Sequence, residues 1–143
     1  MVRQWIDEIT KLENVRGVFI TSNLGKLIEA QGLDLDRKSM EEIALRLLRM
    51  TAIIDENSPV AEVELFWKDL FIICKFSHKI LLVAVCNNPA VLALLRITLN
   101  VSMSHILQDK KIAKIAKSHT SARAQILRKG KFSENEMKLL ASI

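Results

Sequence analysis

The sequence predicts an α/β domain of the α+β kind: a central antiparallel five-stranded sheet with helices on its faces, ordered αββαβββα, followed by a helical C-terminal tail. Three observations predict it. Segments with helical spacing alternate with short apolar runs of strand character. The links between those runs are mostly hairpin-sized, which favours antiparallel pairing. Gly and Pro number only four and two in 143 residues, which argues against a turn-rich all-β sandwich. Half of the residues are hydrophobic and 26% are charged, enough apolar material for one real core and too much for a disordered chain.

Residues 2–13 place Val2, Trp5, Ile6, Ile9 and Leu12 on one helical face, with Asp7, Glu8, Lys11 and Glu13 opposite. The period then changes. Gly17–Thr21 and Lys26–Ala30 read as two strands, and the link Ser22-Asn23-Leu24-Gly25 tolerates the left-handed backbone of a tight hairpin. After a loop at 32–36, Ser39 with Glu42 forms a candidate capping box, and Asp36 offers an alternative cap one turn earlier. The helix at 39–54 puts Met40, Ile43, Ala44, Leu47, Leu48, Thr51 and Ile54 on one face. Leu45, Met50, Ala52 and Ile53 fall on its flanks or far side, more apolar surface than one sheet contact needs.

Val60–Trp67 alternates apolar with acidic residues, as a half-exposed strand does. Leu70–Phe76 and Ile80–Cys86 are more apolar and read as inner strands. Asn88 is a candidate cap for a last helix reaching about Leu107, with Pro89 at the first position, where its missing N–H costs nothing. No internal repeat or low-complexity segment is visible.

Charge divides the chain. Residues 1–109 carry 12 basic and 14 acidic side chains, whereas residues 110–143 carry 9 and 2. The net +5 therefore resides in the tail. Lys110, Lys111, Lys114, Lys117, Arg123 and Arg128 lie in a stretch without acids and are the candidate partner-docking residues. Further on, Ser133 to Glu136 resembles a helix start ahead of Met137, Leu139 and Leu140.

The amphipathic start lacks the apolar core of a signal peptide, and the longest apolar runs are far shorter than the roughly 20 residues of a membrane span. A cytoplasmic location is the expectation. Cys74 and Cys86 sit in apolar runs as small core residues do, without metal-ligand spacing and without a disulfide expected in that compartment.

The run Val15 to Gly32, VRGVFITSNLGKLIEAQG, resembles the opening hairpin of roadblock/dynein light chain domains, with Gly25 at the turn ahead of a long helix. Lys79–Val85, Asn88-Pro89 and Leu92–Leu99 are similar to the last strand and helix of that family. The resemblance covers residues 1–108 and leaves 109–143 as a basic extension. It implies a roadblock/profilin-like fold and a homodimer whose long middle helices and following edge strands pair across a twofold axis. The family includes dynein light chains, scaffold subunits that hold Ras-like GTPases, and bacterial gliding-motility regulators that stimulate a partner GTPase.

The residues support self-association independently. The over-apolar helix and the alternating strand each leave a face over, and an unpaired edge ending in Phe66-Trp67 would be an aggregation hazard. Isologous pairing would cover both. Leu45, Arg49, Met50, Ile53, Val63, Leu65 and Trp67 are the interface candidates. The simpler alternative is that Leu45, Met50 and Ile53 cover the last helix within one chain.

Nothing in the sequence supports catalysis, a metal site or a cofactor. Thr21 to Lys26 ends in Gly-Lys but lacks the spaced glycines and following Ser/Thr of a phosphate cradle. His78, His105 and His119 have no partner at catalytic spacing and read as surface or interface histidines. Glu62 and Glu64 share a strand face that is solvated or meets basic residues. Arg46 and Arg49, beside Glu41 and Glu42, read as surface ion-pair formers rather than as groups that reach into another active site.

The expected function is a homodimeric regulator or scaffold of a Ras-like small GTPase. The alternative is a dimeric adaptor whose basic tail binds nucleic acid or an anionic membrane. A third class, a small-molecule sensor, needs a pocket between sheet and helix.

Overall fold

A computed structural model describes residues 2–54, 61–67, 70–77, 79–87 and 92–118. Its order is α1 (Val2–Thr10), β1 (Val15–Ser22), β2 (Leu27–Gln31), α2 (Arg37–Ile54), β3 (Glu62–Trp67), β4 (Leu70–Phe76), β5 (Ile80–Cys86), α3 (Leu92–Ile106) and α4 (Lys110–Ser118). The five strands form one antiparallel sheet in the order β2-β1-β5-β4-β3. The expected architecture is therefore present, with β2 and β3 at the two edges. The cap expected at Asn88-Pro89 and the tail beyond residue 118 lie outside the described residues.

Several element ends differ from the sequence expectation for local reasons. Helix α1 stops at Thr10 because the Leu12 N–H turns to the Ile9 carbonyl, an i to i−3 bond, and Asn14 takes φ of 70°. Helix α2 begins at Arg37, because Asp36 and not Ser39 caps it. The Asp36 carboxylate accepts the Ser39 N–H at 2.9 Å, and the Met40 N–H reaches the Asp36 carbonyl. Those bonds to Ser39 hold the Asp36 carboxyl below its ordinary range. Glu42, freed from the capping box, pairs with Arg46 at 3.2 Å. Helix α4 is capped by Asp109, whose carboxylate accepts the Lys111 N–H at 2.8 Å.

The hairpin after β1 closes as its sequence anticipates. Gly25 has φ of +83°, and the Ser22 hydroxyl accepts the N–H groups of Leu24 and Lys26. Asn23 crosses to the next loop, donating to the Ser77 carbonyl at 3.0 Å. A register shift between Ile20 and Thr21 kinks β1 beside this turn.

Strand alternation divides the core between two sheet faces. On one face Val18, Ile20, Phe71, Ile73, Ile80, Leu82 and Ala84 meet Ile6 and Ile9 of α1 and Leu95, Leu99 and Ile106 of α3, joined by Ile112 of α4. On the other, Phe19, Cys74, Leu81 and Val83 meet Met40, Ala44, Leu47 and Leu48 of α2. Helices α2 and α3 thus lie on opposite sides of the sheet. The flank residues of α2 do not cover α3, contrary to the simpler alternative. Within α2, Ala52 and Ile53 are buried while Ile43 is 38% exposed, so the covered arc is displaced from the stripe read in the sequence.

Candidate functional site

The two faces of the sheet are covered unequally, and the difference lies beside the open edge. Helix α2 follows directly on β2 and leans over the first hairpin. Leu45 passes above Gly25, and the Glu41 carboxylate accepts the Leu27 N–H at 2.9 Å. That position leaves the α2 side of β3 and β4 incompletely roofed. Val63 and Leu65 of β3 and Ile72 and Phe76 of β4 are only half-buried there. On the α3 side of the same strands, Phe71 and Ile73 are fully buried. The half-covered residues form an apolar shelf between α2 and β3, whose outer edge pairs with no strand among the described residues.

The structure brings most of the interface candidates to this shelf. Leu45 and Met50 of α2 are half-buried and pack on the same cluster as Val63 and Leu65. Arg49 and Ile53 are already buried within the single chain, at 5% and 6% exposure, so they offer less free surface than their positions suggested. Trp67 closes β3 in register with Leu70. Sequence reasoning missed Ile72 and Phe76, because β4 reads as an inner strand. The available signal was topological: a strand next to an edge, under one helix only, keeps one face open.

The opposite side of β3 is tied down by charge. Glu62 pairs with Lys75 at 2.8 Å and with Arg96 of α3 at 3.7 Å, and Arg96 also bonds Glu64. These carboxylates meet basic residues, as their shared face anticipated. They fasten α3 to the edge strand, although Phe66 on the same face stays 70% exposed beside Phe71. On α2, the exposed Arg46 is occupied by Glu42 in an i,i+4 pair.

Of the docking candidates in the tail, Lys110, Lys111 and Lys114 are exposed on α4, whose Ile112 is buried in the α1/α3 core. Lys117 belongs to the same helix, and Arg123 and Arg128 lie outside the described residues. The tail cations are therefore not part of the α2/β3 shelf so far as they are described.

The remaining chemical groups do not converge. The exposed His105 stacks on Trp5, ring centres 4.1 Å apart, joining α3 to α1; His78 and His119 lie outside the described residues. A recess lined by Val2, Gln4, Trp5, His105, Ile106, Gln108 and Asp109 adjoins that stack, between α1 and the α3–α4 link. Both cysteines are buried and free, Cys74 toward α2 and Cys86 toward α3. Burial raises their thiols to about 12 and about 11, leaving them as inert core residues. Among the described residues no group of three or more His, Cys, Asp or Glu is placed to hold a metal ion. No described helix is long and apolar enough to cross a membrane.

No protein-family model and no curated protein matches the chain. Its fold does match solved structures. MglB of Myxococcus xanthus superposes with a TM-score of 0.65 at 20% identity, covering 82% of this chain and 95% of that one. The gliding protein MglB of Thermus thermophilus gives 0.57 at 12% identity, over 82% and 89%. A Roadblock/LC7 domain from Streptomyces avermitilis gives 0.53 at 15%, over 81% and 92%.

Proposed function

We propose, with the roadblock/LC7 fold of this chain as the premise, that it is a homodimeric regulator or scaffold of a Ras-like small GTPase. The observation that carries the reading is the apolar shelf of Val63, Leu65, Ile72 and Phe76 beside the open edge of β3. A second copy related by a twofold axis would add its β3 to this one. Its α2 would then roof the shelf, with Leu45 and Met50 of each chain near the axis. A composite surface would result that neither chain presents alone.

Residues 1–108 are assigned to this dimer and to GTPase contact, and 109–143 to an accessory basic extension. The regulator works by contact. A GTPase bound across the composite surface has its switch segments biased toward one conformation, to the extent that the dimer binds that conformation better. The groups that position water and stabilise the transferring phosphoryl stay with the GTPase. On this side Arg46 is engaged by Glu42 and Arg49 is buried, so neither is offered to a neighbouring active site.

The test is a pull-down of small GTPases from the same genome, loaded with GDP or a non-hydrolysable GTP analogue, followed by hydrolysis and exchange assays. Retention that depends on the nucleotide, with a changed rate of turnover, is the expected outcome. Equal retention in both states, or binding only to polyanions with a steep linear loss in log salt, contradicts the reading and favours the basic-tail adaptor.

A further inference from the structure

Helix α3 carries aliphatic side chains where a surface helix should be polar. Leu94, Ile97 and Val101, spaced i, i+3 and i+7, are 54%, 61% and 48% exposed on the side turned away from the sheet. The buried arc of the same helix is supplied separately by Leu95, Leu99, Met103 and Ile106, so the stripe is surplus to the core of the single chain. It lies on the sheet face opposite α2, and pairing through β3 does not account for it.

The surroundings of the stripe select what can cover it. Helix α3 contains no acid, and its single arginine, Arg96, is held on the flank toward β3 by Glu62 and Glu64. Thr98, beside Ile97, donates its hydroxyl to the Leu94 carbonyl at 2.9 Å and so asks nothing of a neighbour. The two ends of the α1/α3 layer carry opposite charge. Helix α1 runs antiparallel to α3: Trp5 stacks on His105 at one end, and at the other the Asn14 carbonyl accepts the Asn87 N–H just ahead of α3. Residues 7–14, beside the start of α3, hold Asp7, Glu8 and Glu13 against Lys11. Past the end of α3, Lys110, Lys111 and Lys114 are exposed on α4, while the Asp109 carboxylate is engaged in capping it. An anionic membrane would meet the acidic end as well as the basic one, which disfavours that occupant. A second copy of the chain meets both ends with the right sign. Turned antiparallel about a twofold axis beside Ile97, it lays its basic end over the acidic end of the first, and Leu94 of each chain faces Val101 of the other.

We propose that the Leu94–Ile97–Val101 stripe is a second self-association surface, on which two chains pair α3 against α3, antiparallel, with their Ile97 side chains at the axis. The contact is independent of pairing through β3, and the two together join dimers into larger assemblies. Three half-exposed side chains fall short of the roughly 800 Å² per partner of a stable interface, so free chains meet here with a Kd on the order of 0.1–1 mM. Micromolar solutions do not populate the contact, which separates it from dimerisation through β3 by concentration.

Disulfide trapping in the full chain at ~0.5 mM tests it, since the native Cys74 and Cys86 are buried. Under mild oxidation Ile97→Cys is expected to link two chains at least ~10-fold faster than Ser104→Cys, which is also exposed on α3 but lies about 20 Å from its own copy in the antiparallel pair. A mixture of Leu94→Cys and Val101→Cys chains is expected to give the mixed disulfide in excess of either like pair. Equal rates at positions 97 and 104, no bond between chains at 97, or like pairs dominating the mixture overturns the proposal. No bond at 97, together with binding to phosphatidylglycerol vesicles that Ile97→Asp abolishes, assigns the stripe to a membrane surface instead. The same trapping in the Leu65→Asp background is expected to succeed equally, so failure of pairing through β3 and failure of this contact are read separately.

Discussion

Two glycines in the first hairpin and its exit have the same backbone angle and opposite surroundings. Gly25 and Gly32 both sit at φ of +83°, a region that costs an L-residue roughly 1–3 kcal/mol. A Cβ on Gly25 would meet nothing closer than 3.6 Å, whereas one on Gly32 would lie 2.6 Å from the Arg16 carbonyl oxygen. Gly25→Ala should therefore cost only the backbone term, about 1 kcal/mol. Gly32→Ala must also move the β1 backbone and should cost at least about 2 kcal/mol more than that. Urea unfolding of both variants checks the order, and equal losses would refute it. Asp36 gives a residue-scale pH prediction. Its folded-state carboxyl titrates below its ordinary value near 3.8, so the capping stabilisation is present above that value and is lost as pH falls through the folded one. The difference in Tm between the native chain and Asp36→Ala should be constant from pH 7 to 5 and shrink toward pH 3. A constant difference over that range would mean that the cap does not depend on its charge.

Among the elements, α3 and the edge strand are joined by the charges of Glu62, Glu64, Lys75 and Arg96. Arg96 is 43% exposed on its side chain and the two glutamates 25%, so solvent screening keeps each pair modest. A double-mutant cycle on Glu64→Gln and Arg96→Met should return a coupling of about 0.5–1 kcal/mol that falls in 1 M salt; zero coupling at low salt would make the contact incidental. The legibility of the sequence also varies by element. Strands β4 and β5 are legible to their observed bounds, because apolar runs between short polar breaks admit few alternatives. The end of α1 is not legible: Leu12 continues the helical stripe, and only the left-handed turn at Asn14 takes it out. The cap of α2 is ambiguous in sequence because Ser39 and Asp36 both satisfy the local rule, and tertiary position chooses Asp36. Nor does composition reveal that α2 and α3 part to opposite faces, since strand alternation alone does not say which helix takes which side. Burial of the interface candidates is only partly legible, because the sequence does not say which arc of α2 the sheet covers. Leu45, Met50, Val63 and Leu65 share one half-buried cluster, whereas Ile53 and Arg49 are buried within the single chain.

At the scale of the molecule, coverage of the sheet decides which surface is left for a partner. A five-stranded sheet with α1 and α3 over most of one face and α2 over part of the other leaves its unprotected surface beside β3, where Val63, Leu65, Ile72 and Phe76 are half-buried on one side and Phe66 is 70% exposed on the other. Placing a charge on the shelf should therefore weaken assembly more than it weakens folding. Leu65→Asp should yield a folded monomer by circular dichroism and hydrodynamics, with GTPase retention lost in the same variant, since the composite surface needs both chains. Sedimentation equilibrium of the full chain at micromolar concentration tests dimerisation through β3. A species of twice the 16.2 kDa chain mass is expected, reduced to the single chain in Leu65→Asp; a native protein that stays at 16.2 kDa across that range would contradict dimerisation.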